Sequence, residues 1–432
     1  MASIRLYANP AFAVFWAART ISFAGTGVTS VVLPVLVYRQ TGSAAAVAAL
    51  TVLETGPYIV FGLIAGAFAD RLNRKKMMVA ANLAAALLLG SVPFGAALHA
   101  LTLAQVFVVT FGIGTAFVWF DAANFGSVPA LVDRAQLPAA LSLIASSGTL
   151  ALLVGPALGG ALLTLMAPPY ALGFDAASYV ISALLLAAIR RPFRRPQPTQ
   201  ERLARVRADI AEGLRFLWHQ PVIRTMTLAV FCACLSWGGT CALLVVYASR
   251  ALHLAHADVR LGLLYSSGEL GGLISLIAVP ALVKRSSIGR LTAAFLAANV
   301  AALALLSIAP TYGYAVVLFC CYELVYLMVT STGVTVRQML TPDRMQARVN
   351  TAGRLIAYGG QPVGALLGGL LASFLPIRVT FALLALGVAV GAGLAGWACL
   401  GSRPLSAISL ADPAVRAESE DVPGRGQQPD PR

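Results

Sequence analysis

The sequence predicts an all-α integral membrane protein of twelve transmembrane helices arranged as two sets of six. Three observations carry this. Of 432 residues, 59% are hydrophobic and only 11% are charged. Apolar windows long enough to cross a bilayer recur twelve times along the chain. Motifs of the first half return about 210 residues later in the second.

Composition excludes several classes at once. A soluble chain of this length needs charged side chains to cover its surface, and 31 basic and 17 acidic residues, many packed into short stretches, cannot do that. A soluble enzyme, a secreted scaffold and a disordered protein are set aside. The net charge of +14 does not point to nucleic acid, because the basic residues fill short gaps between apolar runs and form no stripe along a helix. Cys232, Cys234, Cys241, Cys320, Cys321 and Cys399 fall inside apolar segments without flanking ligands or disulfide spacing, and read as small packing residues. The first apolar run is too long for a signal peptide and reads as a retained anchor.

A helix needs roughly 20 mostly apolar residues to cross the hydrocarbon core. Such windows fall near 12–38, 44–69, 77–98, 102–126, 138–166, 170–190, 223–249, 260–283, 289–309, 312–337, 347–375 and 378–400. Their unbroken apolarity lacks the alternation of barrel strands. Orientation follows from Lys and Arg in the connections, which collect on the cytoplasmic side. With the N-terminus inside, cytoplasmic connections carry Arg71, Arg74, Lys75, Lys76, Arg134, the cluster from Arg190 to Arg224, Lys284, Arg285, Arg290, Arg337, Arg344 and Arg348. The opposite side holds only Arg39, Arg250, Arg260 and Arg378. Both termini are expected in the cytoplasm and the chain in the inner or plasma membrane. The expected organisation is an N-terminal bundle over 1–190, a basic linker over 191–222, a C-terminal bundle over 223–400 and a disordered tail over 401–432. The linker stretch carrying Ile210, Leu214, Leu217 and Trp218 is expected to lie as an amphipathic helix on the headgroups.

The halves echo each other. Asp133-Arg134 precedes a span ending Gly155-Pro156-Ala157-Leu158-Gly159-Gly160, and Asp343-Arg344 precedes one containing Gly364-Ala365-Leu366-Leu367-Gly368-Gly369. Glu54 and Glu269 likewise each precede a basic turn. Paired six-helix units point to a rocking transporter, and small residues on one face let neighbouring backbones approach closely. Pro156 and Pro362 each remove an amide donor from the helix carrying those glycines.

The segment Gly66-Ala67-Phe68-Ala69-Asp70-Arg71-Leu72-Asn73-Arg74-Lys75-Lys76 resembles the signature loop of the major facilitator superfamily, with Asn73 at its second glycine, a place where Asn tolerates a left-handed turn. Gly155-Pro156-Ala157-Leu158-Gly159-Gly160 resembles the Gly-Pro motif of that family's antiporters, which implies export. Asn9-Pro10-Ala11-Phe12, Phe174-Asp175-Ala176-Ala177-Ser178-Tyr179, Glu212-Gly213-Leu214-Arg215-Phe216-Leu217-Trp218 and Gly360-Gln361-Pro362-Val363-Gly364 resemble the drug:proton antiporter branch with its macrolide-efflux and enterobactin-exporter-like members. No Arg stands in the middle of span four, where many such antiporters carry one. By this resemblance the fold is the major facilitator fold. A cytoplasmic latch forms from Gly66, Asp70, Arg71, Arg74 and Asp121, with Asp70 capping span eleven near Arg348 to Thr351. A carboxylate at a helix N-terminus is favoured electrostatically, which supports that role independently.

Ionisable groups inside the membrane are expensive and are functional candidates by default. Burial disfavours a charged carboxylate, so such a group can take a proton on one side and lose it when its surroundings change. Glu54 is the first candidate, followed by Glu269, Glu323 and Asp175. Span one carries Arg19, Ser22, Thr26 and Thr29/Ser30 at helical spacing, and span eleven Asn350, Arg354, Tyr358 and Gln361; both polar stripes are expected to face a central pathway with Tyr58. Phe61, Trp119, Phe120, Trp237, Tyr322 and Tyr326 are candidate linings for a bulky amphipathic compound.

No phosphate-binding loop or His-Glu-x-x-His helix is present, so no enzyme, metal or cofactor is implied. The expectation is a monomeric secondary transporter in the lipid bilayer, exporting a small-molecule substrate in exchange for protons by alternating access. An importer or specific metabolite transporter of the same fold is the alternative, and a membrane sensor or embedded enzyme the alternative of another class.

Overall fold

In lipid, a backbone must satisfy its own amides, and long apolar runs do so as helices. A computed structural model describes residues 9–69, 72–190, 193, 202–255, 258–283, 288–342 and 345–401, and every regular element among them is helical. In chain order these are α1 (Pro10–Thr41), α2 (Ala44–Ala69), α3 (Arg74–Ala97), α4 (Leu103–Phe125), the short α5 (Val128–Leu131), α6 (Leu137–Leu165) and α7 (Pro168–Ala188). The linker helix α8 (Arg202–His219) leads to α9 (Pro221–Ala242), α10 (Leu244–Arg250), α11 (Val259–Val283), α12 (Ile288–Ser307), α13 (Tyr312–Leu340), α14 (Gln346–Phe374) and α15 (Ile377–Gly401). Ten described helices are long and apolar enough to cross a membrane, and the shorter apolar stretches Leu291–Ser307 and Ile377–Gly393 stand where spans nine and twelve are expected.

The caps explain several boundaries. The Asn9 side chain accepts from Phe12 N at the start of α1, where Pro10 costs no hydrogen bond. Gly42 ends that helix at φ +62°, in the left-handed region, and its N–H donates to the Tyr38 carbonyl at 2.8 Å. Asn73 differs from the sequence expectation: it is extended, at φ −70°, and caps α3 by accepting from Lys76 N at 3.3 Å. A helix that starts at Arg74 needs a capping oxygen there more than a left-handed turn. Span seven also differs, breaking at Leu243 into α9 and α10; the Leu243 N–H still bonds the Gly239 carbonyl at 3.2 Å.

The signature-loop lysine and arginine tie three helices together. Arg74 donates from Nη1 to the Gly126 carbonyl at 2.8 Å, at the end of α4. Lys75 Nζ donates to the carbonyls of Ala187 and Ile189, each at 2.7 Å, placing a cation at the C-terminal end of α7. The linker helix packs on protein as well as presenting Trp218 outward: Gly213 sits against the Arg348 backbone, Leu217 is buried, and Glu212 pairs with Arg348.

Two glycine sets order the whole bundle. On α6, a Cβ at Gly155 would stand 2.7 Å from Cα of Gly27, and one at Gly159 would stand 3.0 Å from the Val28 carbonyl oxygen, both on α1. The adjacent Gly160 faces the other way, where its Cβ would meet Gly262 N of α11 at 2.8 Å. The second half repeats the scheme. Gly364 and Gly368 of α14 lie against Leu235 and Gly239 of α9, while Gly369 lies against Ala48 and Ala45 of α2. In each half the first two glycines seat the motif helix on its own half and the third seats it on the opposite half.

These contacts set the layout of the interior. Call the end where α1 begins the near end. One continuous core embraces the N-terminal half and the far-end part of the C-terminal half, including Tyr247, Leu306, Ala372 and Phe381. The rest of the C-terminal half packs separately around Val230, Phe295, Val329 and Ala357. The halves therefore share a core at the far end and part toward the near end.

Replacing Gly364 by Val should disrupt the fold, because a Cβ there would stand 1.7 Å from the Leu235 carbonyl oxygen, and backbone cannot give way. Gly359→Ala is the matched control, since nothing lies within 4 Å of that position. Thermal unfolding of the purified proteins should show a large drop in Tm, or no folded protein, for Gly364→Val only. An unchanged Tm for Gly364→Val would contradict the packing described.

Candidate functional site

The far end is held by a side-chain clamp as well as by glycines. Arg250, the last residue of α10, donates from Nε to the Tyr38 hydroxyl at 3.0 Å and from Nη2 to the Gly42 carbonyl at 3.1 Å, both in the N-terminal half. Its Nη1 donates to the Ala372 carbonyl of α14 at 3.1 Å. The left-handed conformation of Gly42, which glycine adopts without strain, ends α1 where its carbonyl meets the guanidinium.

Below this closure lie the acidic candidates. Glu54 and Glu269 each stand ten residues into a helix that starts at the far end, so both are about 15 Å deep at 1.5 Å per residue. Glu54 is exposed along its own side chain yet surrounded by protein, the combination expected of a group lining an internal cleft rather than one sealed in the core. One turn further, Tyr58 receives a hydrogen bond from Arg354 Nη2 of α14 at 3.2 Å, and the Arg354 guanidinium lies 5.8 Å from the Tyr358 ring. Three residues that the sequence nominated thus meet across the two halves.

Asp175 forms a node inside the N-terminal half. Its carboxylate accepts from Thr29 Oγ1 and, at 2.9 Å, from Ser178 Oγ, and it is 1% exposed. Gly25 makes room for it, since a Cβ there would collide with the Asp175 carboxylate. Thr26 pairs with the Tyr179 hydroxyl at 3.3 Å. Thr26 and Thr29 of the α1 polar stripe therefore turn toward α7, where a buried carboxylate needs hydroxyl donors, while Ser30 is exposed.

Glu323 forms the corresponding node in the C-terminal half. Its Oε1 accepts from Trp237 Nε1 at 2.7 Å and from Cys241 Sγ at 3.3 Å. Trp237 stacks on Tyr326 with ring centroids 5.4 Å apart, and the Tyr326 hydroxyl accepts from Gln361 Nε2 at 3.5 Å. Glu269 is half-buried, and the preceding Gly268 sits against the Glu323 side chain. Cys241 is thus a hydrogen-bond donor to a buried acid, not merely the packing residue its apolar setting implied.

The remaining candidates separate. Asp70 and Arg71 lie outside the described residues, as do Asp343 and Arg344 of the repeat. Gly66 lies within α2. Asp121 acts electrostatically on Arg19, which is buried over the rings of Phe23 and Phe120. Among the aromatic candidates, Tyr322 is fully buried and paired with Ser236, Phe61 packs on Phe111, and Trp119 packs on Phe68. Sequence reasoning placed Arg337 in a connection, but it is 3% exposed at the near end of α13, against Gly353, with Nε and Nη1 lacking acceptors. Gly353 on the facing helix is the signal that allowed this burial. Among the described residues, no group of His, Cys, Asp and Glu is arranged to hold a metal.

The sequence model of the Major Facilitator Superfamily matches residues 15–365. The chain belongs to this superfamily. It is a multi-pass membrane transporter and not an enzyme. Among relatives of this major facilitator protein, the multidrug efflux pump Tap of Mycolicibacterium fortuitum is 27% identical over 388 residues, covering 88% of this chain and 93% of Tap. The enterobactin exporter EntS of Escherichia coli (strain HS) is 27% identical over 394 residues, covering 89% and 91%. Solved structures share the fold. A bacterial homologue of the human lysosomal transporter Spinster, inward-facing and unoccupied, gives a TM-score of 0.74 at 13% identity, over 90% of this chain and 96% of that one. The nucleoside transporter NupG gives 0.76 at 14% identity, over 90% and 98%.

Arg250→Ala should loosen the far end of this transporter. Hydrogen bonds from a charged donor are worth about 1.5–3 kcal/mol each, and about 1.4 kcal/mol is already tenfold in a two-state population. Hydrogen exchange of the amides around residues 38–46 should speed up about tenfold or more in the variant. Unchanged exchange there would show that the glycine contacts alone hold the closure.

Proposed function

We propose that this major facilitator protein exports amphipathic small organic compounds in exchange for protons, by alternating access, as a monomer in the inner or plasma membrane. The observation that carries the direction is its similarity, over about nine-tenths of its length, to two proteins named as exporters, Tap and EntS. The Gly-Pro motif of α6, whose glycines touch α1 on one side and α11 on the other, supports the same direction.

Orientation follows the basic residues. Arg74, Lys75, Lys76, Arg215, Arg224 and Arg348 cluster at the near end, which by the positive-inside rule is the cytoplasmic one. With the far end clamped, the cleft lined by Glu54 and Tyr58 then faces the cytoplasm, the side from which an exporter loads.

The proton site in this reading is Glu323 with Glu269. Acids inside a membrane are costly and are functional candidates by default, and these two adjoin, since Gly268 sits against the Glu323 side chain. Glu54, accessible in the cleft at the same depth as Glu269, is the group that first meets water and compound. The chain Glu323–Trp237–Tyr326–Gln361 connects that proton to α14, the helix that contacts α2 across the halves.

Inside-out membrane vesicles carrying an imposed proton gradient test this. Wild type should dissipate the gradient when members of a panel of macrolides, dyes and siderophores are added. Glu323→Gln should reduce that dissipation at least tenfold while compound binding persists. Full dissipation in Glu323→Gln, with loss in Glu54→Gln, would move the proton to Glu54. Silence of wild type toward the whole panel would contradict proton-coupled export.

A further inference from the structure

Arg19 is a cation deep in the N-terminal half, and no hydrogen bond to its guanidinium is formed among the described residues. It lies nine residues into α1, about 14 Å from the near end of that helix, and is 9% exposed. Its Cζ stands 4.5 Å from the Phe23 ring centroid and 4.9 Å from that of Phe120. Ring faces attract a guanidinium but leave its N–H donors without a directed acceptor. Its buried Nε has no hydrogen-bond partner. Asp121 acts on it through charge only.

The side chain lines a cavity of about 40 Å³ between α1, α3, α4 and α7, shared with Ser22, Thr26, Asn82 and Tyr179. A water molecule needs about 10–15 Å³ of such space, so the cavity suits a carboxylate-sized group and not a whole organic molecule. The cavity wall also includes Ile113 and Phe117 of α4, and Phe117 is 50% exposed. The site therefore combines a polar, cationic side with an apolar, aromatic one.

From this geometry we propose that Arg19 is the anchor of an anion subsite that takes the carboxylate of a compact amphipathic organic acid, with the acid's apolar body against Ile113 and Phe117. The planar fork of a guanidinium matches a carboxylate with two parallel hydrogen bonds. An intramembrane Arg without a bonded acid is costly to keep, and a charged ligand offsets that cost. Ser22 and Tyr179 hydroxyls stand at the same cavity to complete the acceptor's shell. The proposal rests on the transporter reading and narrows its substrate class to organic anions.

Calorimetric titration of the full-length protein in lipid nanodiscs tests it directly, using 1-naphthoate, its neutral analogue 1-naphthamide and the cationic 1-naphthylmethylamine. Wild type should bind 1-naphthoate at least tenfold more tightly than either analogue, and acetate in excess should compete. Arg19→Gln should bring 1-naphthoate down to the affinity of the amide and leave the amide unchanged. Arg19→Lys, which keeps the charge without the fork, should fall between. Asp121→Asn, which removes the competing negative charge, should tighten 1-naphthoate. No carboxylate preference in wild type, or a preference that survives Arg19→Gln, overturns the assignment. The measurement is independent of flux: selectivity without proton-coupled transport would uphold the subsite and remove the exporter reading, whereas transport without selectivity would do the reverse.

Discussion

The constraint on which the structure depends is the approach of backbone to backbone at six glycines. Lipid tails are as apolar as the helices they surround, so helices associate through close packing and not through escape from water. Gly155 and Gly159 let α6 lie on α1, while Gly160, one residue further round, lets the same helix lie on α11. Gly364, Gly368 and Gly369 do the same for α14 against α9 and α2. Each motif helix is thereby fixed to its own half along one face and touches the opposite half along another. Smooth surfaces without side-chain interdigitation offer a rigid half a seam to turn on.

The chemistry is arranged around that seam. Charged and polar groups cluster within each half, Asp175 with Thr29 and Ser178, Glu323 with Trp237 and Cys241, so each rigid unit carries its own satisfied acid. Two side-chain systems join the halves by hydrogen bonds: Arg250 at the far end and Arg354 with Tyr58 in the cleft. Apolar packing joins the halves as well, at the far end, where Gly160 lies on Gly262 and Gly369 on Ala48.

Much of this could be read from the chain. The spans are legible because lipid demands unbroken apolarity, and the helix ends fall within a few residues of the windows. The glycine repeat is legible because its function depends on local spacing, and the structure gives both copies the same two partners. What was not legible depends on distant partners. Arg250 looked like an ordinary far-side loop charge, since Tyr38 stands 212 residues away. Arg337 looked like a connection charge until Gly353 made room for it. Periodicity placed the α1 hydroxyls on one face, but only the position of Asp175 on α7 decides which way that face turns. The break at Leu243 left no proline to mark it.

In the alternating-access reading, the halves turn as rigid bodies about the far-end glycine seam, one end opening as the other closes. Double electron–electron resonance measures this with one label pair across each end: Leu98 with Phe374 at the far end, and Leu72 with Met339 at the near end, all exposed positions. Between acidic and alkaline conditions in nanodiscs, the two distances should change in opposite directions, and Gly160→Val, which wedges the seam, should freeze or abolish both changes. Distances that move together, or an unchanged pair of shifts in Gly160→Val, would contradict it.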